Sequence, residues 1–126
     1  MDASLSGTGK VVMVFSPRVN GSSEGSILGF VVSCDFFKTA QAPSSNVGEY
    51  VYAAVPTSAA QGYNNPGTID SWLRDIRPTI VHEVKHISAY AGRTLNGLTL
   101  EDLAWEEGMA RNAEELYART FYNNAL

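Results

Sequence analysis

Thr79-Ile80-Val81-His82-Glu83-Val84-Lys85-His86-Ile87 is the stretch that decides how this chain folds and what it can bind. It holds both histidines of the protein, four residues apart. On a helix, side chains at that spacing lie on one face, so two imidazoles can grip a single metal ion. Glu83, one position along, then faces the open side of the metal, where a carboxylate can take a proton from bound water. Two histidines at this spacing can also sit on a solvated surface. The flanking residues oppose that reading, because Ile80, Val81, Val84 and Ile87 make the run apolar. Imidazoles and a carboxylate are costly to bury without partners, and a metal ion is such a partner. The pattern implies a zinc site built for hydrolysis, with a peptide bond as the expected target.

The rest of the composition is that of an ordinary globular domain. A chain of 126 residues with 44% hydrophobic and 17% charged residues can build one core. A net charge of -4 gives no electrostatic reason to expect nucleic acid as a partner. The longest apolar runs are too short to span a bilayer, so no membrane-spanning segment is expected. Met1-Asp2-Ala3-Ser4 does not open like a secretory signal peptide. The single Cys34 excludes an intrachain disulfide and, in a strand-like run, reads as a buried thiol.

Outward from the motif, the first half reads as strands and loops. Val11–Phe15, Ile27–Ser33 and Tyr50–Val55 are short apolar runs consistent with buried strands. Loops are expected at Asn20–Gly25, Thr39–Asn46 and Gln61–Gly67. The second half reads as helix. Asp70 or Ser71 is a plausible N-cap, and Pro78 should start or kink the motif helix. Gly92 is a natural end for that helix, and Asn96-Gly97 a loop beyond it. Thr99-Leu100-Glu101-Asp102 resembles a capping box opening a second helix that runs to about Arg119.

A hydrolytic zinc site needs a third protein ligand and one open position. Gly92 occupies the place, six residues after His86, where some zinc hydrolases put a third histidine, and Cys34 lies in the early β region. A carboxylate from the second helix is the remaining solution, and Glu106 and Glu107 are the candidates there. Helical periodicity does not separate them, since both faces carry apolar residues. Glu106 can be read as a solvated surface acid. Gly108, lacking a side chain beside Glu107, would let a neighbouring helix or substrate come close.

His82-Glu83-x-x-His86, followed by Glu107-Gly108-Met109-Ala110 and Glu114, resembles the gluzincin metallopeptidases. The layout is similar in particular to bacterial metallopeptidases related to the hyicolysin family. Val19-Asn20 and Ser45-Asn46-Val47-Gly48-Glu49 look like two of that family's earlier segments. There are departures. Trp105 stands two residues before Glu107 where the family has a tryptophan three before, and the chain is shorter at both ends.

The resemblance implies an α+β, zincin-like fold: a small twisted sheet, then the histidine helix, then a glutamate-ligand helix. Residues 1–126 would be a single catalytic domain or a fragment of a larger protein. It implies His82, His86 and Glu107 as zinc ligands, Glu83 as general base and then acid, and Glu114 as an acceptor orienting a ligand imidazole. Tyr117, Tyr122 and Tyr90 are candidates for stabilising the oxyanion. A peptide or protein substrate adding to the edge of Ile27–Ser33 is expected, as is export of the parent protein to the cell envelope or beyond. The other reading is a non-catalytic zinc or interaction module. It is disfavoured because a closed structural site wants four protein ligands, and no further histidine exists.

Overall fold

The computed structural model describes residues 10–21, 27–56, 68–100 and 102–122. Its elements run β1 (Val12–Phe15), α1 (Pro17–Asn20), β2 (Gly29–Phe30), a 3-10 helix (Ser33–Phe36), β3 (Tyr50–Ala53), α2 (Ile69–Leu95) and α3 (Leu103–Tyr122). This is a small α+β fold. The sheet order is β1-β3-β2, with β1 parallel and β2 antiparallel to the central β3. Val51 and Ala53 of β3 are buried toward the helices, and Val51 joins Phe36, Ile87 and Ala91 in the core. Burying such side chains contributes roughly 1.5–3 kcal/mol for each large one.

Two short sequence segments act as local fasteners. Asn20, buried at the end of α1, donates its amide to the Val55 carbonyl at 2.7 Å and accepts from the Val55 N–H at 2.9 Å. It thereby continues the sheet by a side chain. In Ser45–Glu49, the Asn46 N–H bonds Asp35 at 2.7 Å, and the Ser45 hydroxyl bonds the Phe37 carbonyl at 2.6 Å. The other Asp35 oxygen accepts from the Tyr52 hydroxyl at 2.7 Å. Burial and Asp35 together push Tyr52 up to about 12.

Several expectations change. β1 is an edge strand with Val12, Met13 and Phe15 exposed, not a buried one. The run Ile27–Ser33 pairs only at Gly29–Phe30, because the chain turns at Ser33 into the 3-10 helix that buries Asp35. Cys34 lies in that helix and is partly exposed. The histidine helix neither starts nor stops at Pro78 but runs from Ile69, capped by Thr68 rather than Asp70 or Ser71. Interior proline costs about 3 kcal/mol, and here Pro78 is itself buried within the helix, on the side away from Ile76 and Ile87. Gly92 stays helical. α2 closes one turn later, where Gly97 adopts φ +65 and the Gly97 and Leu98 amides bond the Thr94 and Arg93 carbonyls. Asp102, not Thr99, caps α3, accepting from the Ala104 N–H at 3.0 Å, and α3 continues to Tyr122. The expected loop at Gln61–Gly67, Gly25 with its neighbours and Glu101 lie outside the described residues. Among the described residues no helix is long and apolar enough to cross a membrane.

Candidate metal centre

α3 packs against α2, burying Ala110 and Ala118, and this contact sets the histidine segment and the Glu106–Glu114 segment face to face. His82 and His86 are both buried on α2. Their Nε2 atoms lie 3.1 Å apart. From α3, Glu107 brings one oxygen to 3.2 Å from His82 Nε2 and the other to 3.3 Å from His86 Nε2. One donor atom from each of the three residues falls within 4.8 Å of the others. These separations match the edge of a coordination shell with bonds of about 2.0–2.1 Å.

The opposite ring nitrogens fix what those atoms are. His82 Nδ1 lies 3.1 Å from a Glu114 oxygen, and His86 Nδ1 3.4 Å from a Glu106 oxygen. A carboxylate accepts only, so each imidazole keeps its proton on Nδ1. In the neutral imidazole this leaves Nε2 as a lone-pair donor, and both Nε2 atoms and the Glu107 carboxylate converge on one point. Donor atoms held this way can share a metal ion. The residues fit a metal ion.

Glu83 is buried beside this point, on a cleft of about 500 Å3 bounded by β2, α2 and α3. Burial pushes its carboxyl up to about 7; His82 and the backbone N–H of Val31 oppose the rise, while Glu107 and Glu114 add to it. Gly29 explains the closeness of β2. A Cβ there would stand 3.1 Å from Thr79 Cγ2, 3.3 Å from the Tyr52 carbonyl and 3.8 Å from Glu83 Cγ.

Of the tyrosines, Tyr90 lines the cleft, stacked on His86 with ring centroids 5.5 Å apart. Burial and the nearby carboxylates of Glu106, Glu107 and Glu83 raise it, so its hydroxyl keeps its proton. Tyr117 packs on Phe121 at 4.7 Å and is not part of the cleft wall; the side chain of Tyr122 lies outside the described residues. Trp105 is exposed on α3. Gly108 has no chain atom within 4 Å of where a Cβ would be, so it does not serve helix packing. Glu106 is the largest correction. Far from being solvated it is 3% exposed, and it bonds Lys85 as well as His86. The sequence held one signal for this: Lys85 sits inside an apolar motif and needs a counter-charge.

No family model, curated protein or solved structure matches the chain. The geometry carries the functional reading.

Proposed function

We propose that this protein is a zinc-dependent metallopeptidase of the gluzincin type, with Glu83 as its general base. The observation that supports this most is the convergence of His82 Nε2, His86 Nε2 and Glu107 within reach of one ion, beside a buried carboxylate. Three protein donors leave a position for water, as a hydrolytic site requires. Zinc held by these residues would polarise a substrate carbonyl and acidify a water.

The chain's own residues supply the remainder. Glu83 takes the water's proton and passes it to the leaving amine. Its raised affinity for protons suits both halves of that task. Glu114 holds His82 by its Nδ1–H, which keeps the other nitrogen free. β2 has one edge on β3 and the other toward the cleft, so an extended peptide can add to it as a strand. Tyr90 is the tyrosine on the cleft wall that can donate to a developing oxyanion.

The test is metal analysis of the purified chain together with a broad peptide-library cleavage assay. One zinc per chain, and cleavage lost in Glu83→Gln, are expected. A chain that holds zinc and cleaves nothing favours a non-catalytic zinc module. One that takes up no zinc after refolding with excess metal defeats the proposal.

A further inference from the structure

Glu106 and Glu107 are adjacent acids on α3 with opposite fates. Glu107 enters the cleft with its side chain half exposed, while Glu106 is enclosed behind His86. A carboxylate buried to that degree must be partnered. Its oxygens lie 3.3 and 3.4 Å from Lys85 Nζ, and one lies 3.4 Å from His86 Nδ1. Lys85 itself is three-quarters covered. His86 is thus held at one edge by Glu106 and on its ring face by Tyr90.

From this we infer that Lys85 and Glu106 form a positioning pair for His86, resting on the metal centre proposed above. The Lys85 ammonium draws the Glu106 carboxylate against His86 Nδ1. That keeps the imidazole proton on Nδ1 and aims Nε2 at the donor cluster. It also occupies both Glu106 oxygens, so that Glu106 does not compete with Glu107 as third donor. Lys85 therefore decides which of two neighbouring acids faces the metal. A cation is needed at that place, and a neutral chain of the same length does not replace it.

The experiment measures zinc affinity by competition with a chromophoric chelator, and the visible spectrum of the cobalt-substituted protein. Wild type, Lys85→Met, Lys85→Arg and Glu106→Gln are compared, with the melting temperature of each metal-free protein. Partners of ligand imidazoles typically contribute about 10–100-fold to metal affinity. Lys85→Met and Glu106→Gln should lose zinc affinity by that order, and Lys85→Met should alter the cobalt spectrum as Glu106 enters the shell. Lys85→Arg should restore both. A merely structural role would lower the metal-free melting temperature without moving the cobalt spectrum, and that pattern overturns the inference. So do wild-type affinity and spectrum in both Lys85→Met and Glu106→Gln, which would leave the metal centre intact. Absence of zinc from the wild type overturns the centre itself and the pair with it.

Discussion

Val31, at the end of β2, and Glu83, in the middle of α2, share the wall of one cleft, and the Val31 backbone opposes the rise that burial gives the Glu83 carboxyl. One wall thus joins the strand on which a peptide would lie to the group that would deprotonate water. The register of a bound peptide and the position of the proposed base would then be set by the same short segment.

Exchanging that base for its amide should separate chemistry from binding. Glu83→Gln removes a proton acceptor but no metal donor. It should retain zinc and fold while turnover falls about a hundred- to ten-thousand-fold. Peptide cleavage assayed beside metal content checks this, and wild-type turnover in the variant would exclude Glu83 as base.

The same residue gives the metal-free protein a pH signature. The folded-state affinity of Glu83 for its proton, about 7, lies above the ordinary value of 4.5. Between those values the unfolded chain releases this proton and the folded chain keeps it. The contribution of Glu83 therefore falls as pH rises from about 4.5 to 7 and is level outside that window, a loss on the order of 3 kcal/mol. Denaturant unfolding of metal-free wild type and Glu83→Gln at pH 5 and pH 7.5 should show a stability difference that shifts in favour of the variant at the higher pH.

Both histidines and Glu83 were legible because one helical period places them, and burial of the motif followed from its apolar neighbours. Other features were not legible. Pro78 argues by its local chemistry for a helix start or a kink, yet α2 begins well before it at Ile69 and carries it buried in its interior. The apolar Val31-Val32 run suggests a longer strand, yet Asp35 must be enclosed by Asn46 and Tyr52, which bends the chain at Ser33. The choice between Glu106 and Glu107 depends on Lys85, a pairing across helices that no single-helix periodicity encodes.

Metal should stabilise the fold, and its donors should be unequal in kind to their neighbours. Thermal unfolding with and without zinc should show a rise in midpoint for wild type that is lost in His86→Ala and Glu107→Ala. An undiminished rise in Glu107→Ala would remove that residue from the donor set.

Gly29→Val tests the closeness of the sheet edge. The added side chain meets Thr79 and the Tyr52 carbonyl, so strand and helix must part. Overpacking of this kind costs about 1–3 kcal/mol. Lower stability with zinc retained and cleavage reduced is the expected result; full cleavage would show that the β2 edge tolerates displacement.

Asn20→Ala checks the side-chain fastener at the end of β3. It leaves both polar groups of Val55 without the Asn20 amide, and a loss of about 2 kcal/mol or more in chemical denaturation is expected.

His86 and Glu107 belong to different helices, so a metal held between them closes a ring of about 20 residues of chain. Because the donors converge only in the folded chain, a bound ion would add its binding free energy to folding rather than restrict the unfolded chain. The Leu98–Leu100 connection lies inside the ring, and cutting it would leave α3 still tethered to α2 through the ion. A chelator would then remove that tether, so that a bound metal would act as a reversible clasp of the helical hairpin.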